Sequence, residues 1–320
     1  MVVIKPNLKV YIISAVAVLA LFGILTLLLE VGVLNNFHRG LIILVCINVI
    51  LAVSLNLSAG FLGQLVLGHA AFMAVGAYTA ALISTRLGVT SVFGFIFVLI
   101  AGGLAAALSG IIIGVPALRL RGDYVAIVTL GFGLIIQSVM LNLRITGGAD
   151  GLLGIPRLTT MGNAFFVMVI VVALLVALVR SRHGRAMIAI REDEIAAEAS
   201  GIPTTYYKIL GFTIAAFFAG VAGGLFAHRV SVLVPETFGF IYSIELLVIV
   251  VLGGMGSFTG AIVAAVVLTL LPELLREFGD FRMLTYSILL VAMMIFRPKG
   301  LMGSYEFSIQ SIISKIRKRG

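Results

Sequence analysis

The sequence predicts an all-α polytopic membrane protein with about ten transmembrane helices, and three observations support this. Hydrophobic residues make up 61% of the chain and charged residues 11%, whereas a soluble domain carries about 25% charged residues. Apolar stretches recur from Leu8 to Phe296 without a polar block large enough to fold alone. The net charge is +9, but Lys and Arg form short clusters between apolar runs, which favours a membrane protein over a nucleic-acid-binding one. We expect residues 1–320 to form a single transmembrane domain.

The individual helices follow from run length, because one crossing needs about 20 apolar residues. Two runs are too long for one crossing, so we expect a break near 58–64 in the first and at 253–256 in the second. The broken runs, 39–86 and 243–275, then supply two spans each. The other predicted spans are 8–29, 88–117, 124–143, 162–179, 209–227 and 284–296. Because the last one is short, about eight to ten crossings are compatible with the sequence.

The first span and the distribution of basic residues predict the orientation. The run from Val10 to Leu29 is too long for the core of a signal peptide, so we expect it to remain in the protein. Ten crossings put both termini on one side, and that side then holds 15 of the 22 Lys and Arg residues. Cytoplasmic loops carry such an excess, so we expect both termini in the cytoplasm. The basic tail 297–320 is either an amphipathic segment on the anionic lipid surface or a disordered tail.

Small residues at four-residue spacing predict close helix packing within the membrane. Such spacing lets two helix backbones approach, and apolar side chains alone give little preference for another helix over lipid. Two ladders of this kind stand out, Gly102–Ala106–Gly110–Gly114 and Gly211–Ala215–Ala219–Gly223–Ala227. Each predicts a face that meets another helix, and neither says anything about substrate.

The two glycine-rich breaks are the candidate translocation path. Each interrupts a long apolar run, and paired interruptions in two halves of a chain predict an inverted repeat with helix ends at a central path. A pair of ordinary tight turns explains the spacing equally well. Polar groups within these spans are few, and His69 either contributes to the path or bridges two helices. The candidate path residues are Asn56, Gly60, Gly63, Gln64, His69, Gly253 and Gly256.

Several classes of chemistry are excluded by missing motifs. A P-loop needs a Gly-Lys pair, and the chain has none, so it is not expected to hydrolyse ATP. The four histidines and the single cysteine show no metal-ligand spacing, so no metal, cofactor or catalytic residue is expected. The spans also lack the buried acidic and basic partners typical of a proton- or sodium-driven carrier. These observations favour a transport protein with an external energy source.

The loop 180–208 holds the densest charge in the sequence. Helix-forming residues run from Ala186 to Ser200, and Gly201 with Pro203 gives a helix-stop signal. We expect one helix there of about 22 Å. It is either a solvated loop helix or a docking element for a cytoplasmic partner.

Three segments together resemble the branched-chain amino-acid ABC transporter permease family, LivM type. They are Leu55–Phe72 with its continuation to Tyr78, Arg119–Gly131, and Arg191–Gly201. The last of these is similar to the family's version of the EAA loop, through which importer permeases dock on ATPase subunits. It departs from the general pattern in its Glu-to-Gly spacing. The resemblance implies an ABC importer permease fold and the coupling residues Arg191, Glu192, Asp193, Glu194, Ala197, Glu198 and Gly201.

The resemblance also implies partners and a location. It implies a homologous second permease, two ATP-binding subunits that bind ATP and Mg, and an extracytoplasmic substrate-binding protein, all assembled at the cytoplasmic (inner) membrane. The expected substrates are leucine, isoleucine and valine. Urea, an amide or another amino acid stay open as alternatives, because sibling permeases share these motifs. A stand-alone channel or secondary carrier is the rival from another class.

Overall fold

The structure, a computed structural model, describes residues 8–32, 35–118, 124–297 and 300–303. Every regular element in these ranges is helical, apart from one antiparallel bridge between Leu152 and Leu233. The predicted Arg119–Asp123 part of the family resemblance and the tail beyond 303 lie outside the described residues. The helices are α1 (Leu8–Glu30), α2 (Asn36–Asn56), α3 (His69–Leu87), α4 (Val92–Ala117), α5 (Tyr124–Asn142), α6 (Met161–Arg180), α7 (Arg182–Glu192), α8 (Glu194–Ala199), α9 (Thr204–Val230), α10 (Phe240–Gly253), α11 (Phe258–Leu274) and α12 (Arg282–Phe296).

Each span predicted from run length corresponds to a helix, and both long runs are broken where the sequence predicts. Six of the helices are long and apolar enough to cross a membrane, namely α2 with its continuation to Phe61, α3, α4, α5, α6 and α9. Four further apolar segments are shorter, Ala15–Glu30 of α1, α10, α11 and Leu284–Met293 of α12. The all-helical, polytopic class is therefore supported, and the number of crossings stays a prediction.

The prediction of one helix at 186–200 was wrong. The loop forms two helices, because Asp193 adopts an extended backbone (φ −157°, ψ 108°) and its side chain accepts a hydrogen bond from the backbone N–H of Ala196 at 3.0 Å. Asp193 is thus the N-cap of α8, a role for which aspartate is well suited. The first helix also begins earlier than predicted, at Arg182, since Ser181 caps it. The stop at Gly201 (φ +82°) is confirmed.

The tightest packing joins α3, α4 and α9, where glycines of three helices meet. A side chain at Gly76 would overlap the backbone of Gly220, and one at Gly220 would lie 2.5 Å from Cβ of Ala106. Every residue of the two predicted small-residue ladders is buried. The ladder prediction is confirmed, because these residues allow the backbone contact that larger side chains would prevent.

The outer face of α4 has the opposite character. Phe93 is 86% exposed and Phe97 62% exposed, and the same face continues with Ile100, Leu104 and Leu108. Large apolar side chains on an unpaired helix face are what a hydrocarbon environment requires. By contrast α2 lies in the interior, with Ile47, Ile50 and Leu51 inaccessible to solvent, and packs against α6, α9, α10 and α11.

Candidate translocation and coupling site

The first break follows the end of α2. The helix continues as one turn of π-helix, Leu57–Phe61, in which the backbone N–H of Leu62 donates to the Leu57 carbonyl at 3.1 Å. Gly63 then has φ +74°, and α3 begins only at His69. π-Turns are uncommon and often occur at functional sites, so this distortion marks the segment as more than a simple connection.

The second break separates α10 from α11. Gly254 (φ +109°) and Gly256 (φ +85°) reverse the chain, and the Ser257 hydroxyl accepts from the Gly260 N–H at 3.1 Å to begin α11. The chain after α12 returns to this point, because the Leu301 N–H donates to the Leu252 carbonyl at 2.6 Å. The Met302 N–H similarly donates to the Gly253 carbonyl at 3.4 Å.

The two breaks contact each other, although about 200 residues separate them in sequence. Asn56 is fully buried, and its side-chain oxygen accepts from the Gly256 N–H at 2.9 Å while its amide nitrogen donates to the Ser257 carbonyl at 2.8 Å. Gly60 lies so close that a side chain there would overlap Asn56 and the backbone of Gly256. Four of the predicted path residues and the neighbouring Ser257 thus form one junction, which we call the glycine junction: Asn56, Gly60, Gly63, Gly256 and Ser257.

The charged loop reaches this junction through Arg191. Its guanidinium Nη1 donates to the Gly60 carbonyl at 2.7 Å. Gly63 and Gly256 face the same side chain, since a Cβ at Gly63 would lie 3.0 Å from Arg191 Cγ and one at Gly256 2.5 Å from Nη1. The sequence resemblance grouped Arg191 with the loop and not with the breaks, and no sequence signal joined the two.

The rest of the loop presents a charged surface above a buried base. Met187, Ile190 and Ala197 are buried, and Lys208 at the start of α9 pairs with Glu194 at 2.6 Å. Among the predicted coupling residues, Arg191, Glu192, Asp193, Glu198 and Gly201 are exposed, Glu194 is half-buried and Ala197 is buried. Ile195 joins them, with 69% of its surface exposed.

The remaining predicted path residues, Gln64, His69 and Gly253, make other contacts. His69 is buried at the start of α3, and its Nε2 lies 3.0 Å from the Ser54 hydroxyl of α2. Gln64 is 7% exposed, and its side-chain oxygen has no hydrogen-bond partner among the described residues. Gly253 packs against the backbone of Gly260. None of these contacts tests the role of these residues in a path, which stays a prediction.

Sequence reasoning missed a second polar group that crosses the bundle. Asn48 donates to the Thr269 hydroxyl at 2.9 Å and accepts from the Tyr242 hydroxyl at 3.2 Å, which joins α2, α10 and α11. In the sequence, Asn48 is recognisable only as a polar residue within an apolar run. No sequence pattern links it to Thr269 or Tyr242. Interhelical hydrogen bonds of this kind hold helices together where water is absent.

A small cavity lies between α5, the start of α10 and the segment that precedes α3. Its volume is about 10 Å³, enough for roughly one water molecule, and it is lined mainly by apolar groups. Its lining includes Leu67, Leu130, Gly133, Phe240 and Ser243. The Ser243 hydroxyl also accepts from the Ala70 N–H at 3.3 Å, which brings the starts of α3 and α10 together. A cavity of this size cannot hold an amino acid.

The described residues contain no group of three His, Cys, Asp or Glu side chains that could hold a metal ion. The described structure is that of a helical membrane protein in which two broken helices meet beside a charged loop. This arrangement is the kind expected of a transport permease. Sequence comparison makes this class specific. A family model described as "Branched-chain amino acid transport system / permease component" matches residues 38–297. The chain belongs to this family, whose members are permease components and not enzymes.

Curated relatives agree with this assignment. The chain is 43% identical over 291 residues to the high-affinity branched-chain amino acid transport system permease protein LivM of Salmonella typhimurium, covering 80% of this chain and 68% of the relative. It is 42% identical to LivM of Escherichia coli over 81% of this chain and 68% of the relative. It is also 30% identical to the permease protein LivH of E. coli, over 47% of this chain and 49% of the relative. No solved structure matches the chain. The resemblance to the LivM type is confirmed.

Proposed function

We propose that this chain is a transmembrane permease subunit of an ATP-driven ABC importer for leucine, isoleucine and valine. The observation that carries the proposal is the 43% identity, over 80% of the chain, to a permease named for high-affinity branched-chain amino acid transport. The weaker similarity to LivH supports a homologous second permease as the partner that completes the translocation path. Family membership further implies two ATP-binding subunits, which bind ATP and Mg, and an extracytoplasmic substrate-binding protein.

The loop surface provides a place for the ATP-binding subunits. Glu192, Asp193 and Glu198 are exposed around Ile195, so the surface offers carboxylates about one large apolar side chain. Interfaces of this kind combine an apolar anchor with a charged rim that fixes partner and orientation. We therefore assign Ile195 and Glu198 to the contact, and Glu194 to an internal ion pair with Lys208.

The path itself is proposed to run past the glycine junction. Backbone reversals at Gly63 and Gly256 follow the ends of two apolar helices, and both glycines face Arg191 of the loop 180–208. The junction would therefore lie at the end of the path on the same side of the membrane as this loop. Movement of one broken helix relative to the other would open the path alternately to each side, with the termini and the loop 180–208 in the cytoplasm of an inner-membrane protein.

Transport by the reconstituted complex tests this proposal. Proteoliposomes with the chain, its second permease, the ATP-binding subunits and the binding protein should take up labelled leucine, isoleucine and valine only when ATP is present. The matched control replaces wild-type ATP-binding subunits with a hydrolysis-deficient variant. Uptake of leucine by this chain without nucleotide would overturn the ATP-driven mechanism, and uptake of urea or polar amino acids instead would overturn the substrate assignment.

The docking assignment has its own test. Ile195→Asp places a charge in the apolar centre of the contact and should reduce copurification of the ATP-binding subunits by about tenfold. Glu273→Gln, far from the loop in sequence and in an exposed ion pair, is the control. Unchanged copurification with Ile195→Asp would remove the loop from the contact.

A further inference from the structure

Arg191 differs from the other charged residues of the loop in where its charged group lies. Within the part of the chain that the structure describes, the exposed carboxylates Glu192, Asp193 and Glu198 have no hydrogen bond to another helix. Arg191 is also exposed as a residue, but its guanidinium donates to the Gly60 carbonyl at 2.7 Å. Gly60 lies in the π-turn that ends the first broken helix. Carbonyls at a helix end carry partial negative charge, so a cation is favoured at this position.

The same side chain contacts the second break. Gly256 faces Arg191 so closely that a Cβ would lie 2.5 Å from the guanidinium nitrogen, and Gly256 is itself held by Asn56. Gly63 approaches the aliphatic stem of Arg191, where a Cβ would lie 3.0 Å from Cγ. Arg191 therefore touches both breaks at once, and Asn56 joins the two breaks behind it.

The backbone of α7 is fixed to the same region, so Arg191 is not a freely moving surface residue. Met187, one turn before it, is fully buried, and a Cβ at Gly211 of α9 would lie 3.4 Å from Met187 Cε and 3.1 Å from Leu62. Leu62 directly follows the π-turn. Thus α7 contacts the first break through apolar packing and both breaks through Arg191.

We propose that Arg191 is a positioning residue that couples the docking loop to both helix breaks, and that it does not itself contact the ATP-binding subunits. This rests on the proposed function, because it assumes that the loop receives work from ATP-binding subunits. When α7 moves, the hydrogen bond to Gly60 and the contact with Gly256 carry the two breaks along together. Hydrolysis without this link proceeds but moves less solute.

The test measures transport and ATP hydrolysis separately in the reconstituted complex. Arg191→Ala should retain assembly with the ATP-binding subunits and most of the ATPase activity, while solute moved per ATP falls about tenfold, as expected for loss of a charge-assisted hydrogen bond. Arg191→Lys keeps a positively charged donor and should restore much of this ratio, whereas Arg191→Gln, whose amide donor is uncharged, should not. Arg276→Ala, which removes an exposed arginine two residues beyond the end of α11, is the control and should leave the ratio unchanged.

Three results would overturn the proposal. One is a wild-type ratio of transport to hydrolysis in Arg191→Ala, and another is loss of assembly in that variant to the extent seen with Ile195→Asp, which would make Arg191 a docking residue. Should Arg191→Ala not fold, equal ratios in the lysine and glutamine variants overturn it in the same way. Failure of the proposed function is distinguishable, since the wild-type complex would then show no nucleotide-dependent uptake at all.

Discussion

Glycine serves two different purposes in two regions of this molecule. In the scaffold of α3, α4 and α9, glycines lie inside regular helices and allow backbones to touch, as at Gly76 and Gly220. In the glycine junction, Gly63 and Gly256 have positive φ and end helices. The first use gives close-packed, uniform contact. The second leaves few regular hydrogen bonds and depends on Asn56 and Arg191 for its geometry. The comparison indicates a rigid frame beside a region built to change.

The scaffold side of this comparison predicts the largest effect. Gly76→Ala places a methyl group against the Gly220 backbone and should destabilise the protein by about 1–3 kcal/mol, because overpacking forces backbones apart. Gly131→Ala in α5 is the control, since nothing lies within 4 Å of its Cβ position, and it should be neutral or slightly stabilising. The chain has no Trp, but its one cysteine, Cys46, is buried. Reaction of Cys46 with a thiol dye during heating therefore reports unfolding, and equal midpoints for the two variants would contradict the rigid frame.

The junction side predicts a loss of stability within the same range, together with a loss of transport. Asn56→Leu removes both hydrogen bonds to the second break and should cost about 2 kcal/mol, at roughly 1 kcal/mol for each bond. Asn142→Leu, which removes an exposed amide bonded only within its own helix, should cost almost nothing. Transport and the dye assay are measured together. If Asn56→Leu lowers the transport rate and the unfolding midpoint no more than Asn142→Leu does, the Asn56 side chain does not hold the junction together.

The ion pair between Glu194 of the loop and Lys208 of α9 predicts an intermediate loss of stability. The Lys208 side chain is only 8% exposed, so Glu194→Gln leaves a nearly buried ammonium without its carboxylate. We expect a loss of about 1–2 kcal/mol, below the value for a fully buried pair because Glu194 is 31% exposed. Glu273→Gln removes a pair whose arginine is 67% exposed and should change stability by less than about 0.5 kcal/mol. A double-mutant cycle with Lys208→Met measures the pair directly, and a coupling energy near zero would contradict its role.

The smallest effect decides between the two interpretations of His69. Ser54→Ala removes the hydroxyl 3.0 Å from Nε2 of His69 and should cost about 0.6 kcal/mol, the average for a hydrogen bond between membrane helices. Ser84→Ala, which removes the hydroxyl 2.8 Å from Nε2 of His228, is the matched control. If His69 only bridges helices, both variants should transport at similar rates. A selective loss of transport in Ser54→Ala would place His69 on the path.

Much of the fold was predictable because lipid makes the sequence pattern simple. Run length located the ten apolar helices among the described residues, because a crossing needs a long apolar run. Glycine clusters located both breaks, because few other residues adopt the backbone conformations that such breaks need. The division of the loop at Asp193 was missed because helix propensity hid a good N-cap inside a run of helix formers. The count of crossings does not follow from length for α10 and α11, which have 14 and 17 residues.

The candidate site was predicted residue by residue but not as an arrangement. Asn56, Gly60 and Gly256 stood out as polar or glycine positions in apolar runs, and the structure brings them into contact. Arg191 was assigned to docking by position in the loop, and nothing in the sequence indicates that its guanidinium turns inward to Gly60. Such contacts depend on how distant segments fold together, which local patterns do not encode.

The return of the chain after α12 has a consequence for biogenesis. Leu301 and Met302 bond the carbonyls of Leu252 and Gly253, so the reversal between α10 and α11 is completed by residues that the ribosome makes later. Until residues 301 and 302 have been synthesised, those carbonyls lack these two donors. Completion of the second break therefore waits on synthesis of the chain that follows α12.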